Sequence, residues 1–249
     1  MRRCFALLAL LATTGIDAQT AETPADVQTI LDRLDRLYRS ETSYALVEMH
    51  IENPNWQRTL RMELWGEGMD KTFIVIQQPR KDAGIATLRL KSEMWNYFPK
   101  VDKVMKVPPS MMMGSWMGSD FTNDDLVKES SFTEDYHPSL GPADDPELYN
   151  IELRPKEQTA TVWGKIVFVV RRHDLIPVSA LYYDEKGRQM RRIDYRELRE
   201  LGGRQIPAAL ELSQLNKEGH KTTIRYLDAR FDLKMDKGIF TLRNLKKKR

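Results

Sequence analysis

The fold of this chain is decided at residues 44–51, which read Tyr44-Ala45-Leu46-Val47-Glu48-Met49-His50-Ile51. Every second residue from Ala45 to Ile51 is apolar, and the positions between them include Glu48 and His50. Successive side chains of a β-strand point to opposite faces of a sheet. This period of two therefore predicts a strand with one buried face.

Segments with strand character recur along the rest of the chain. They lie at residues 59–65, 71–77, 83–90, 93–98 and 101–107, and again at residues 148–153, 162–171, 177–184, 189–198, 205–215 and 221–228. The links between them are short and rich in turn formers, such as Asn53-Pro54-Asn55 and Glu185-Lys186-Gly187. Because short links join antiparallel neighbours, the sequence predicts an antiparallel meander.

Three segments depart from the strand pattern. Residues 24–39 predict a helix, since Thr23 can cap it and apolar residues then recur at helical spacing. Residues 111–125 form an irregular insertion with a short helix after Thr122 or Asn123, and residues 139–147 predict a loop. We therefore expect a mainly β (α+β) chain with one large, curved antiparallel sheet and helices on its concave side. A second domain with a boundary near residues 138–146 is the alternative.

The N-terminus has the layout of a secretory signal peptide. Arg2 and Arg3 precede an apolar run at residues 4–12, and small residues continue to Ala18. The alternative is a membrane anchor, but the run is far shorter than the roughly 20 residues of a spanning helix. We therefore expect a signal peptide at residues 1–18, cleaved near Ala18, and a domain at residues 19–249 in the periplasm.

Composition and motif content argue against most kinds of chemistry. Cys4 is the only cysteine and lies in the predicted signal peptide, which excludes thiol catalysis and cysteine metal sites in the mature chain. The four histidines stand far apart, and neither a nucleophile elbow nor a phosphate-binding loop is present. The formal net charge of +3 does not indicate nucleic acid binding. We therefore expect no enzyme activity, no cofactor and no metal.

The distinctive feature is an apolar, methionine-rich segment at residues 105–117, which contains Met105, Met111, Met112, Met113, Trp116 and Met117. Methionine is flexible and polarizable, which suits a surface that adapts to variable apolar ligands. Because Gly114 and Gly118 bracket the turn with conformational freedom, we favour a mobile lid over an ordinary core plug. Thioether coordination of Cu(I) is a third interpretation, but the methionines lack spaced repeats and nearby histidines.

Two passages carry a family resemblance. Residues 94–99 read Met94-Trp95-Asn96-Tyr97-Phe98-Pro99 and are followed by Val101-Asp102-Lys103-Val104. This passage resembles the W-x-Y-x-P strand and turn of the LolA-like outer-membrane lipoprotein-sorting proteins, a family of periplasmic carriers. Residues 111–126 are similar to a longer stretch that is typical of one LolA-like branch.

The resemblance implies an unclosed antiparallel β-barrel with helical lid elements over an apolar cavity. It also implies a periplasmic carrier that binds acyl chains of a lipoprotein or lipid and shuttles them towards the outer membrane. An inner-membrane transporter would be the donor, and the acceptor would lie at the outer membrane. The residues expected to contact acyl chains are Trp65, Phe73, Ile74, Trp95, Tyr97, Met111, Met113, Trp116, Met117 and Phe121.

The sequence departs from the family pattern just before the strand predicted at residues 71–77. Well-studied carriers have an arginine in front of the strand that resembles residues 71–77, and this arginine helps hold the lid shut. Residues 66–70 of this chain contain no arginine.

The half-barrel could instead be an envelope lipid sensor or adaptor that partners an inner-membrane protein. A hydrolase acting on lipid or envelope polymer would need a nucleophile and a base that the sequence does not show.

Overall fold

The computed structural model describes residues 26–128, 132–159 and 161–247. The predicted signal peptide at residues 1–18 and the predicted Thr23 cap lie outside the described residues. In chain order the elements are α1 (Val27–Asp35), β1 (Thr42–Asn53), β2 (Trp56–Glu67), β3 (Lys71–Gln78), β4 (Ala86–Leu90), β5 (Glu93–Phe98), β6 (Lys103–Lys106), α2 (Asn123–Lys128), α3 (Phe132–Asp135), β7 (Tyr136–Gly141), β8 (Leu148–Pro155), β9 (Lys165–Arg171), β10 (Pro177–Tyr183), β11 (Gln189–Leu201), β12 (Arg204–Gln214), β13 (Lys221–Phe231) and α4 (Leu242–Leu245). Single 3-10 turns lie at Pro109–Met111 and Lys237–Ile239.

The strands form one 13-stranded sheet in the order β6-β5-β4-β3-β2-β1-β13-β12-β11-β10-β9-β8-β7. All neighbours pair antiparallel, and β1 joins the two meanders because it pairs with both β2 and β13. In the described part of the chain, β6 and β7 stand at the two edges and do not pair with each other. The sheet is therefore a curved, unclosed half-barrel, which confirms the predicted fold class.

The concave face of the sheet carries most of the core. Met49 and Ile51 of β1 are buried there with Met62 of β2, in the alternation predicted from residues 44–51. On the other half of the same face, Ile30 and Leu31 of α1 pack in the cluster built on β8 to β12. Burying one such side chain contributes roughly 1.5–3 kcal/mol, so these clusters hold α1 on the sheet.

A smaller core covers the convex face. Phe240 and Leu245, in and beside α4, pack there against Phe73, Val75 and Leu88 of the first meander. The C-terminal segment therefore shields β3 to β5 from solvent on the side opposite the main core. This arrangement buries both faces of these strands, which explains their continuous apolar runs.

The predicted loop at residues 139–147 is wrong over residues 139–141, because strand β7 spans Tyr136–Gly141. Pro138 and Gly141 disfavour a central strand, but β7 lies at the sheet edge and pairs only with β8 in the described structure. An edge strand tolerates proline because one of its sides has no hydrogen-bond ladder to lose.

Helix α1 is shorter than predicted. It covers Val27–Asp35 and ends at the C-cap Arg36, whereas the predicted helix spanned residues 24–39. Leu37 is instead buried on the sheet, and the Tyr38 hydroxyl donates to the Pro207 carbonyl at 2.7 Å. Packing against the sheet therefore overrides the helical periodicity of these last residues.

Candidate functional site

An apolar cavity of about 190 Å³ lies between the concave face of the sheet and helices α1, α2 and α3. The sheet contributes Ile74, Ile193 and Leu210, and the helices contribute Leu34 and Phe132. Strands of both meanders thus share one apolar lining with the helices that cover them. Such a lining favours an apolar ligand.

Polar groups join the lining near the end of α1 and the start of β1. Asp35, Arg39, Ser43 and Tyr44 line this part of the cavity. The Tyr44 hydroxyl donates to Glu63 Oε1 at 2.9 Å. Burial, together with the Glu63 carboxylate, raises the pKa of Tyr44 to about 12, so the hydroxyl stays neutral. An apolar interior with polar groups on one side suits an amphiphile.

One wall of the cavity comes from the methionine-rich insertion between β6 and β7. We call residues 111–126 the lid. Phe121 and Leu126 of the lid line the cavity. The lid leads into α2, where the Asp125 backbone N–H donates to Thr122 Oγ1 at 3.1 Å. This bond confirms one of the two caps predicted for the helix.

Hydrogen bonds within the lid give it a compact shape. The Trp116 N–H donates to the Phe121 carbonyl at 2.8 Å, and the Asn123 N–H donates to the Gly114 carbonyl at 3.0 Å. The Asn123 side-chain amide also donates to the carbonyls of Met111 and Gly114, both at 3.1 Å. All of these bonds join residues of the lid to one another, so they do not depend on its contact with the sheet.

Trp116 is the first anchor of the lid on the sheet. Its side chain is only 3% exposed and belongs to the concave core cluster that includes Met62 and Met94. The indole Nε1–H donates to Thr87 Oγ1 on β4 at 3.2 Å. In this conformation Trp116 therefore acts as a core plug, the alternative considered for this segment, while the backbone around it forms the lid.

Asp120 is the second anchor and connects the lid to β13. Thr222 Oγ1 donates to Asp120 Oδ2 at 2.8 Å and accepts from the Asp120 N–H at 3.0 Å. His220 Nδ1 lies 3.6 Å from Asp120 Oδ1. These contacts hold the turn after Trp116 against strand β13.

Arg191 of β11 and Asp125 of α2 form the third anchor. Arg191 Nη1 and Nη2 donate to the two carboxylate oxygens of Asp125 at 2.8 and 2.7 Å. The Arg191 side chain is 4% exposed and that of Asp125 is 13% exposed. A paired, bidentate geometry satisfies both charges in a place where either charge alone would be costly.

Aromatic rings complete the environment of this ion pair. The guanidinium of Arg191 lies 4.0 Å from the ring centroid of Tyr182 and 4.6 Å from that of Trp163. Burial alone would raise the pKa of Asp125, but the Arg191 charge and its hydrogen bonds hold that pKa below its ordinary value. Asp125 is therefore ionised at neutral pH, and in this structure the ion pair joins the lid to the sheet.

Seven of the ten predicted contact residues lie in or beside the lid and cavity. Those that line the cavity are Trp65, Ile74 and Phe121. Trp65 also packs against Phe73, its cross-strand partner in the convex core. Those that pack into the concave core beneath the lid are Trp116 and Met117. Those that are exposed on the lid surface, away from the cavity lining, are Met111 and Met113.

The other three predicted contact residues, Phe73, Trp95 and Tyr97, need correction. They belong to the convex core under the C-terminal segment, outside the cavity lining. Ile74 faces the cavity, so its neighbour Phe73 must face the opposite side of the sheet. Trp95 and Tyr97 pair across strands with Leu88 and Ala86, which share that convex face.

The prediction from sequence missed Arg191. It stands in the run Met190-Arg191-Arg192, which is typical of a solvated strand face. One signal was present, since Arg191 is in phase with the buried Ile193 and therefore points to the concave side. Its partner Asp125 lies in another element, which the local sequence around Arg191 does not reveal.

Membrane-spanning helices and clusters of metal ligands are both absent from the residues that the structure describes. None of the described helices has the length and hydropathy required to cross a membrane. Within residues 26–128, 132–159 and 161–247, no three His, Cys, Asp or Glu side chains form a group that could hold a metal ion.

Comparison with solved structures identifies relatives of the fold. A DUF1329 family protein from Desulfovibrio piger superposes with a TM-score of 0.77 at 22% identity, covering 88% of this chain and 98% of that chain. A domain from Vibrio parahaemolyticus is described as a candidate outer membrane lipoprotein-sorting protein domain. It superposes with a TM-score of 0.76 at 20% identity, covering 89% of this chain and 98% of that chain. A LolA superfamily protein from Nitrosomonas europaea superposes with a TM-score of 0.73 at 21% identity, covering 88% of this chain and 99% of that chain.

Comparison at the level of sequence gives a single family. No curated protein matches the chain. A family model whose description is an uncharacterized protein matches residues 68–247, which is more than half of the chain. The matched region begins just before β3 and ends after α4, so it includes the lid and all strands from β3 to β13. The fold is similar to that of the LolA superfamily protein, and the chain belongs to this family of uncharacterized proteins.

Proposed function

We propose that this protein is a periplasmic carrier, and not an enzyme, that binds acyl chains of a lipoprotein or another lipid beneath the lid. The observation that carries the proposal is an apolar cavity whose covering unit is joined to the sheet by a small set of polar anchors. The LolA-like fold supports it, since one structural relative is described as a candidate lipoprotein-sorting domain.

The size of the cavity implies that loading requires lid displacement. Its volume of about 190 Å³ lies below the roughly 300–1,000 Å³ of pockets that enclose drug-sized ligands. Trp116 and Phe121 occupy the concave side where further space would open. An acyl chain would therefore enter as the lid leaves, and its methylene groups would replace these side chains against the sheet.

The energies of the two states make this exchange feasible. Each acyl CH₂ group removed from water contributes roughly 0.8 kcal/mol, so a chain of ordinary length contributes several kcal/mol. Lid opening loses the buried Arg191–Asp125 pair and exposes the Trp116 side chain. Because cost and gain are of similar size, the closed state can be stable without ligand and the loaded state stable with it.

The direction of transport follows from the proposed compartment. An inner-membrane transporter would supply the acyl chains, and an acceptor at the outer membrane would receive them. Neither end requires covalent chemistry, since the cargo only changes its apolar surroundings. Nucleic acid has no role in this function.

The test is native mass spectrometry with lipid extraction, applied to the mature protein purified from its own periplasm. A co-purifying lipid or acylated protein in near-stoichiometric amount is the expected result, together with an N-terminus at Gln19 after removal of the signal peptide. A matched preparation of Ile74→Glu, which places a charge in the cavity wall, should carry markedly less lipid.

Other outcomes count against the carrier. A protein that is empty in every preparation, and that also fails to bind a fluorescent fatty acid in vitro, contradicts acyl binding. An empty protein recovered in a tight, long-lived complex with an inner-membrane protein supports the sensor or adaptor instead.

A further inference from the structure

The tip of the lid lies between two hairpin turns at one end of the half-barrel. A side-chain carbon on Gly118 would lie 3.7 Å from the ring of Trp56, the first residue of β2 after the β1–β2 turn. Arg58 Nη1 donates to the Met117 carbonyl at 3.3 Å. On the other side, Met113 shares a shallow cleft of about 200 Å³ with Lys217 of the β12–β13 turn. The lid tip and both turns therefore form one continuous surface.

This surface combines exposed apolar side chains with lysines. Trp56 is 42% exposed and Met113 is 43% exposed. Lys81 shares a cleft of about 310 Å³ with Trp56, and Lys217 adjoins Met113. Neither lysine forms an ion pair with a described residue. Glu218, the next residue in the chain after Lys217, is an exposed acidic side chain.

We propose that Trp56, Met113, Lys81 and Lys217 form a docking surface for a lipid bilayer that contains anionic lipids. Charge complementarity and side-chain type support this occupant. Tryptophan has an apolar ring and a polar N–H, and it prefers the boundary between hydrocarbon and water. Exposed lysines beside it add attraction to anionic headgroups.

Two other cationic side chains at this end are already paired with carboxylates. Arg58 is paired with Asp82 at 2.8 Å, and Lys221 lies 3.6 Å from Glu52. Their charges are balanced within the protein. The attraction to anionic headgroups therefore comes from Lys81 and Lys217.

Docking at this surface would place the lid tip against the membrane. Met117 and Gly118 have left-handed backbone angles, with φ of 52° and 80°, so the contact point is a tight turn and not an extended loop. A bilayer that inserts Met113 would act on the same rigid unit that carries Trp116 and Asp125. Membrane contact and lid position are thereby coupled through one segment of backbone.

The experiment is vesicle co-flotation of the full-length mature protein, with phosphatidylcholine–phosphatidylglycerol vesicles compared with pure phosphatidylcholine vesicles. The protein should bind the anionic vesicles and bind less as salt is added. The double variant Lys81→Glu with Lys217→Glu should bind at least about tenfold more weakly, since one lysine near an anionic surface contributes roughly fivefold. The double variant Trp56→Ser with Met113→Ser should also bind at least about tenfold more weakly, because it removes two apolar side chains that would enter the bilayer.

Matched controls come from the C-terminal segment on the convex face. Leu242 is a comparably exposed apolar residue, and Lys237 is an exposed lysine. Leu242→Ser and Lys237→Glu should leave vesicle binding within about twofold, because neither residue is near the docking surface. The lysine variants alter only exposed side chains, so their result does not depend on whether the apolar variants fold.

Fatty acid uptake without vesicles separates this proposal from the carrier function. The variant Lys81→Glu with Lys217→Glu, which lies outside the lid and the cavity lining, should take up a fluorescent fatty acid as the natural protein does while losing vesicle binding. Absent binding to anionic vesicles overturns the docking surface and leaves the carrier untouched. Equal losses in the control variants, or binding that only a membrane protein in the vesicle restores, also overturn it.

Discussion

Arg191 of β11 and Asp125 of α2 are 66 positions apart in sequence, yet they meet through two hydrogen bonds of 2.8 and 2.7 Å. Both side chains are buried, and the rings of Trp163 and Tyr182 enclose the guanidinium. This pair connects the lid to the second meander, whereas Trp116 connects it to the first. The lid thus bridges the two halves of the sheet. Trp116 makes its apolar contact, Thr222 binds it through a hydrogen bond, and Arg191 binds it through an ion pair, so each kind of contact can be tested separately.

Removing the ionic contact should destabilise the protein strongly. Asp125→Ala leaves Arg191 buried without its partner, which typically costs about 3–5 kcal/mol. The measurement is the free energy of unfolding from urea denaturation. The matched control is Asp194→Ala, since the Arg192–Asp194 pair is partly exposed and such pairs contribute about 0–1 kcal/mol. Equal losses in both variants would contradict the special role of the buried pair.

The Arg191–Asp125 pair also predicts how the stability of the fold changes with pH. The pKa of Asp125 is lower in the folded protein than its ordinary value, so its ionised form stabilises the fold. That stabilisation is complete at neutral pH and is lost as the pH falls below about 4, through the depressed pKa. The stability difference between the natural protein and Asp125→Asn should therefore shrink towards about pH 3. A difference that stays constant with pH would show that Asp125 does not titrate in this way.

Trp116→Ala should weaken the protein and yet increase its response to ligand. Deleting a buried tryptophan side chain costs about 3–5 kcal/mol, because a cavity remains on the concave face. An acyl chain can fill that volume, so a saturating fatty acid should raise the melting temperature of this variant more than that of the natural protein.

Trp116→Phe is the matched control for that experiment. It keeps most of the apolar packing and removes the indole hydrogen bond to Thr87. Its stability and its ligand response should lie close to those of the natural protein. If Trp116→Ala binds fatty acid no differently from either protein, the lid does not cover the ligand site.

Adjacent residues on β3 should separate the cavity from the convex core. Ile74 lines the cavity, whereas Val75 packs beneath the C-terminal segment. Ile74→Phe and Val75→Phe should each cost roughly 1–3 kcal/mol through overpacking. Only Ile74→Phe should reduce fatty acid binding, as measured by fluorescence titration. Reduced binding in both variants would instead point to a general loss of structure.

Much of the fold follows from local sequence. The alternation at residues 44–51 and the short, turn-rich links between later segments predicted the antiparallel meander that the structure confirms. The Thr122 cap of α2 was also readable, because capping depends on a residue and its next three neighbours. The edge strand β7 was not, since the tolerance of Pro138 depends on its position in the sheet.

The candidate site was less readable than the fold. The irregular insertion with its short helix is predicted correctly, but Trp65, Phe73, Trp95 and Tyr97 of the first meander are all predicted to contact the ligand. Two faces of β3 to β5 are buried, so apolar character alone could not separate Ile74 from Phe73. Only the position of the C-terminal segment decides which face is the cavity and which is the convex core.

By itself, then, the sequence determined the strand periodicity, the antiparallel order and the place of the irregular insertion between the two meanders. Those properties depend on neighbours within a few residues or on composition. Tertiary structure alone decided that Arg191 meets Asp125, that Trp116 fills the concave core and that Trp56 reaches the lid tip. These contacts join residues far apart in the chain, and the curvature of a 13-stranded sheet brings them together.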